Sequence, residues 1–451
     1  MAKNITLENI KSIPHETLAD LVYAQIGNNK LLHEKVEKIL LKSDPKALVK
    51  SIKKDIASIK RGRKFIDYYG AFDFSSKVQN IVDDILMMID DEKVASALLK
   101  ELILTDSKVY LRSDDSAGTI QISYGNAQDA WAEYLKVLNN DEIYNDIIEM
   151  LVCEGFGVRS VISDKVPHTI LEKIYADFYK KCESSKAEPY DSFNDIHVLK
   201  LCAHFLKKPE LYIKASQLNS RELHESDFMD YAKEYKYAED AQGVLDALHK
   251  IKHVDRYRAN DFYELQVWAY ETLKDSINVT LTYKNWYAKT KSATILKSYL
   301  SRLEGVTKIQ VRQEALYEAK TRSFPDAIHF FHSLDEADLA SEYIWEHQQN
   351  LETQLMYAGE LKTITLWLED DYPQEAILLY RDSCEKALET SQSKFYPSAI
   401  KSLKQCMKLE NSNNTISWQI EDNLLYLDKL LDKHKSKPKF VELFFKAFGE
   451  M

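Results

Sequence analysis

The sequence predicts an all-α fold, an α-solenoid of degenerate tetratricopeptide-like helical hairpins, and three observations lead there. Turn residues are scarce: 451 residues hold 11 glycines and 9 prolines, against roughly 7% and 5% in ordinary chains. Such a chain lacks the backbone freedom and fixed angles that collagen-like, Pro/Gly-rich disordered and turn-dense all-β proteins need at short intervals. Apolar residues recur three and four apart along most of the length, the period of a helix with one buried stripe. Only 277–287 alternates as a strand does, with Val279, Leu281 and Tyr283 between Asn278, Thr280 and Thr282. An isolated strand has no partner and is unstable alone, so this segment also reads as a helix, one of low propensity.

Taken in order, the elements follow from breakers and stripes. Ser43-Asp44-Pro45 starts a helix, because proline in the first turn gives up no hydrogen bond. Leu48, Ile52, Ile56 and Ile59 form its apolar stripe. Two serines, Pro189 and little apolar content make 183–193 the interdomain linker. After 231–238, the spacing of Ala241, Leu245 and Leu248 is that of the second helix of a tetratricopeptide repeat, although the Trp and Leu-Gly positions of that repeat are absent. Asp371-Tyr372-Pro373 starts another helix, striped by Ala376, Ile377, Tyr380, Cys384, Ala387 and Leu388, and 411–417 is a short loop. Helices of about 10–14 residues and connections of about 4–6 fit roughly 20 to 26 helices into this length. The expected organisation is a helical module over 1–140, connecting helices over 141–220 and a repeat region over 221–451.

Sixty basic residues against 71 acidic ones leave a net charge of −11, which favours solubility and opposes global attraction to nucleic acid or anionic membrane. Five scattered cysteines without a Cys-x-x-Cys pair argue against a disulfide framework or a structural zinc. The first residues lack the pattern of a signal peptide, and no stretch reaches 18 uncharged apolar residues. The expectation is a reduced, cytoplasmic protein away from membranes.

Residues 50–59, followed by Arg61-Gly62-Arg63-Lys64-Phe65-Ile66-Asp67-Tyr68 and then Asp114-Asp115-Ser116-Ala117-Gly118, resemble an uncharacterised bacterial all-helical family. Pro373, Ala376, Leu379-Tyr380-Arg381, Ser393-Lys394, Tyr396, Ala399, Leu403 and Cys406 resemble the same family, which is similar to the C-terminal helical region of SWIM zinc-finger proteins. The Cys-x-Cys and Cys-x-His pairs of that finger are missing here, so its zinc and nucleic-acid role does not carry over. The resemblance implies a helical architecture and supplies no activity.

No Gly-rich phosphate loop, Gly-x-Ser-x-Gly elbow or His-Glu-x-x-His sequence is present, so catalytic residues, cofactor and metal are all expected to be none. His249 and His253 stand at metal-ligand spacing on a helix, but Lys250 beside them disfavours a cation. His329 and His332 flank Phe330-Phe331 as a core-lining helix would, and Cys202 and His204, two apart, diverge. From 46 to 64 the chain sets eight cations against one acid, Asp55. There Lys46, Lys50, Lys53, Lys54 and Lys60 are candidate phosphate-backbone contacts opposite the apolar stripe. The basic run Lys433-His434-Lys435, with Lys437 and Lys439, reads as a solvated helix end. Tyr263, Trp268, Tyr270, Tyr283, Trp286 and Tyr287 are a candidate protein-binding surface. Arg61, Arg63 and Asp67 are expected to clamp Asp114, Asp115, Ser116 and Gly118, since about two helices between them permit an antiparallel return.

These residues favour a noncatalytic scaffold or adaptor with a protein partner. The alternative is an accessory nucleic-acid-binding subunit of a bacterial DNA-directed or defence system using helix 46–64, and a third reading is an enzyme whose site is assembled from distant helices.

Overall fold

The computed structural model describes residues 5–152, 155, 161–184, 189–218, 223–390, 392–412 and 418–449. Among them every regular element is a helix, and the one strand-like pairing is an isolated parallel bridge between Ile66 and Ser113. No helix among the described residues is long and apolar enough to cross a membrane. The contacts divide the chain into two compact units, Met1–Lys250 and Ile251–Met451.

The first unit begins with α1 (Leu7–Lys11), α2 (His15–Ile26), α3 (Lys30–Leu40) and α4 (Pro45–Arg61). It continues through α5 (Gly70–Met88), α6 (Glu92–Ile103), α7 (Asp106–Tyr110), α8 (Thr119–Glu133) and α9 (Asn140–Leu151). The last five are α10 (His168–Ser184), α11 (Pro189–Phe205), α12 (Pro209–Gln217), α13 (Glu225–Tyr237) and α14 (Ala241–Leu248). Helix α4 starts as its sequence dictates: the Asp44 carboxylate accepts the Ala47 N–H at 3.1 Å and Pro45 fills the first turn. Its stripe Leu48, Ile52, Ile56 and Ile59 is buried in a core shared with Val78, Leu99, Tyr124 and Trp131. Helix α8 is central to that core, packing on both α5 and α6. Beneath the surface of α4, Lys38 reaches Asp55 and Asp84, each at 2.6 Å. Burial pulls the ammonium's pKa down, but the two carboxylates outweigh it and hold the pKa above its usual value.

The 183–193 linker is corrected. Helix α10 runs to Ser184 and α11 begins at Pro189, the two pack together inside the first unit, and 185–188 lie outside the described residues. The tetratricopeptide-like spacing does mark a helix hairpin: Ala241, Leu245 and Leu248 are buried in α14, which packs on α13. Gly243 allows that approach, since a Cβ there would stand 2.3 Å from the Tyr235 ring.

The second unit comprises α15 (Ala259–Thr272), α16 (Ser276–Thr290), α17 (Ala293–Leu300), α18 (Gly305–Ala319), α19 (Phe324–Leu334) and α20 (Ala337–Glu346). It ends with α21 (Ala358–Leu368), α22 (Pro373–Glu389), α23 (Tyr396–Ser412), α24 (Asn423–His434) and α25 (Pro438–Phe448). The strand-like stretch is helix α16, in which Thr280 and Thr282 donate their hydroxyls to the carbonyls of Ser276 and Asn278. These bonds absorb the polarity that made the segment look alternating, while Val279, Thr282 and Trp286 share its buried face. Most helices that are neighbours in the chain pack together in this unit, α22 on α23 most extensively, and at α19–α22 the packing skips a helix, with α19 on α21 and α20 on α22. Of the loop at 411–417, residues 413–417 lie outside the described set.

Candidate functional site

The two N-terminal motifs meet, but not through the pairs the sequence suggested. Ile66 N–H donates to the Arg112 carbonyl and Asp114 N–H donates to the Ile66 carbonyl, each at 2.8 Å. The guanidinium at the joint belongs to Arg112: it donates to the carbonyls of Lys64 at 3.0 Å and Ile59 at 3.1 Å and lies over the Phe74 ring. Gly62 leaves it room, because a Cβ there would sit 2.7 Å from Nη2. Arg61 and Arg63 are exposed and have no partner among the described residues. Each acid turns instead to its own backbone. Asp67 accepts the Gly70 N–H at 2.7 Å and Asp115 accepts those of Ile120 at 3.0 Å and Gln121 at 2.8 Å, while Asp114 accepts both the N–H and the hydroxyl of Ser116. Gly118, at φ 69°, makes the left-handed turn into α8. Carboxylates facing helix N-termini satisfy donors that the helix cannot, so this joint is structural; sequence reasoning missed Arg112 because a single arginine carries no motif.

The histidine and cysteine arrangements are likewise structural. His249 caps the end of α14 and His253 follows in irregular chain, so the pair does not share a helix face, contrary to the expected geometry. His332 packs edge-on against Trp367 at 5.0 Å; burial, aided by His329, lowers its pKa. His204 contacts Glu234 at 2.9 Å and stacks on Tyr237. His434 is buried against Phe440 rather than solvated. Cys202, Cys384 and Cys406 are buried, Cys182 is half-buried, and Cys153 lies outside the described residues. Among the described residues no group of three His, Cys, Asp or Glu side chains is arranged to hold a metal ion.

The aromatic set also changes character. Trp286 and Tyr287 are buried, at 6% and 8% exposure, so neither offers a binding surface. Trp286 stacks between Tyr263 and Tyr283 at 6.0 and 5.9 Å and donates its indole N–H to Asn260 at 2.9 Å. Tyr270 packs on the same cluster, and Trp268 is half-buried in α15. Tyr263, Tyr270, Tyr283 and Trp286 fill the space between α15 and α16, because large flat side chains with a polar tip suit a partly wet helix interface, whereas Tyr287 packs into the neighbouring core with Leu296 and Phe324.

Two surfaces keep chemistry unspent. On α4 the basic residues project from the face opposite the core, as their spacing requires. Lys46, Lys50, Lys54 and Lys60 are exposed without partners among the described residues, and Lys53 meets Glu101 at 3.7 Å. The second surface was not foreseen. Helix α22 forms the floor and α21 and α23 the walls of a groove of about 670 Å³, lined by Met356, Leu361, Leu366, Tyr380, Ala387 and Phe395 and by Lys362, Lys386, Lys401 and Lys408. Lys386 approaches Glu389 at 3.6 Å, whereas Lys362, Lys401 and Lys408 have no partner among the described residues. The one acid in the lining, Glu369, accepts the Tyr380 hydroxyl at 2.8 Å and the Gln405 amide at 3.0 Å. Burial and that carboxylate push the Tyr380 pKa up, so the phenol stays protonated and remains a donor to Glu369.

The sequence signal behind the groove is divided among three helices. On α23, Ser398, Lys401, Ser402, Gln405 and Lys408 form one stripe. Its reverse face, Tyr396, Ala399, Leu403 and Cys406, is buried and contains the apolar residues read earlier as family-like. Arg381, from that same set, is buried under the hairpin, where it donates to Asn423 and the Glu421 carbonyl and lies over Tyr426.

The pattern of a family of unknown function, DUF6880, matches residues 2–208 and 211–442. The chain belongs to that family. No curated protein matches it.

Proposed function

We propose that this DUF6880 chain is a noncatalytic helical-repeat adaptor that works in the cytoplasm and binds a protein partner in the α21–α23 groove. The occupant is an acidic amphipathic helix of about ten residues, because the stripe from Ser398 to Lys408 runs about 15 Å at 1.5 Å per residue. One observation carries the reading: an apolar-lined groove rimmed by Lys362, Lys401 and Lys408, three cations without partners among the described residues. An apolar stripe on the incoming helix would lie over Leu361, Leu366 and Phe395, and its flanking carboxylates would meet the lysines. The pairing of chain neighbours within each unit is consistent with stacked hairpins, which offer such grooves without catalytic residues. A likeness to the helical region of SWIM zinc-finger proteins would then concern the scaffold and not zinc chemistry.

Fluorescence anisotropy with a set of labelled acidic amphipathic peptides tests the reading. Saturable binding should weaken at least tenfold in the Lys362→Glu/Lys401→Glu/Lys408→Glu protein and in Leu366→Asp. Unchanged binding in both variants, or no saturable binding by any peptide, would overturn it.

A further inference from the structure

Helix α4 in the first unit carries a second surface. At about 100° per residue, Lys46, Lys50, Lys53, Lys54, Lys60 and Arg61 fall within an arc of about 120°, centred far from the buried stripe Leu48, Ile52, Ile56 and Ile59. Five of the six have no hydrogen bond or ion pair among the described residues, and the sixth, Lys53, only approaches Glu101 at 3.7 Å. The sole acid of the segment, Asp55, turns inward to Lys38 at 2.6 Å and is spent there. From Lys46 to Arg61 the row is about 22 Å long: Lys46, Lys50 and the pair Lys53-Lys54 follow one another about a turn apart, and the pair Lys60-Arg61 comes about two turns later.

We propose that this face binds the sugar-phosphate backbone of a nucleic-acid duplex without reading sequence. Its cations share one face with no large apolar or aromatic anchor between them, Ala57 being the neutral residue within their arc. That pattern suits repeating phosphates, whereas a protein interface draws its energy from buried aromatic and apolar anchors. A membrane-surface helix would need its apolar face in the lipid, but the apolar face of α4 is occupied by its own core. The net charge of −11 does not forbid the contact, because acids more than about 10 Å away are largely screened at 0.1 M salt.

The test uses the full chain with a 30-base-pair duplex of random sequence, as DNA and as RNA, and with phosphatidylserine vesicles. Five phosphate contacts predict a log–log salt slope of about −4.5 on DNA, a loss of about 500-fold between 50 and 200 mM salt. The Lys46→Gln/Lys50→Gln/Lys54→Gln/Lys60→Gln/Arg61→Gln protein should lose at least 30-fold in affinity at 50 mM and most of that slope, while its thermal midpoint matches wild type. Binding to DNA, RNA or both with this behaviour supports the proposal and identifies the duplex. No duplex binding at 50 mM, binding unaffected by the substitutions, or binding to vesicles alone would overturn it.

Discussion

Asp115 accepts two backbone N–H groups at the start of α8, whereas Arg63 stands exposed without a partner among the described residues. Asp115→Ala should therefore cost about 1 kcal/mol and Arg63→Ala less than about 0.5 kcal/mol. Arg112→Ala, which frees the carbonyls of Ile59 and Lys64, should cost about 1–3 kcal/mol. Denaturant midpoints at constant slope measure all three, and a large effect at Arg63 with none at Arg112 would restore the pairing suggested by sequence. His332 makes a pH prediction. Burial lowers its pKa in the folded state, so the unfolded chain binds the proton more tightly. Its stabilising contribution is complete above the unfolded value near 6.5 and declines as pH falls through that value toward the folded one. His434 is shifted the same way by burial and by Lys433 and Lys437. Thermal midpoints at pH 7 and pH 5 should show this decline, and His332→Gln should reduce it; a midpoint rising toward pH 5 would contradict the sign.

The hairpin of α13 and α14 depends on a close approach at Gly243. A Cβ there would meet the Tyr235 ring, so Gly243→Ala should destabilise by about 1–3 kcal/mol despite alanine's better helix propensity. In the α22–α23 hairpin, Cys384 and Cys406 lie at the buried seam, and burial pushes both thiols up, Cys406 to about 12. Neither should react with iodoacetamide at pH 8 until the protein unfolds, which mass spectrometry of native and denatured samples checks. The stripes that build these helices were legible in sequence, because a 3.6-residue period and an Asp-Pro start are local properties: α4 begins at Pro45 and α22 at Pro373. The groove was not legible. Its lysines sit on α21, α22 and α23, each unremarkable alone, and only packing brings Lys362 and Lys401 to one cleft. Trp286 and Tyr287 were misread for the opposite reason, since composition cannot tell a ring buried in a helix interface from one offered to a partner.

For the molecule as a whole, an acidic chain carries two local basic surfaces on different units: a row on α4 with no large apolar or aromatic residue between its cations, and a groove at α21–α23 with an apolar lining. That contrast separates their expected partners, because salt alone should abolish binding to the first while the second also needs its apolar contacts. Inside each unit, adjacent helices bury large apolar cores, so charges on these surfaces can be changed without touching the fold. The most direct measurement of the adaptor reading is site-specific photocrosslinking in living cells of the source, with a benzophenone side chain in place of Leu366 in the groove and, as control, of Tyr257, which is 97% exposed elsewhere in the second unit. The expected result is one dominant crosslinked product at Leu366, absent at Tyr257, whose crosslinked segment is acidic and apolar at helical spacing. Equal products from both positions, or a Leu366 product lacking acidic residues, would contradict it.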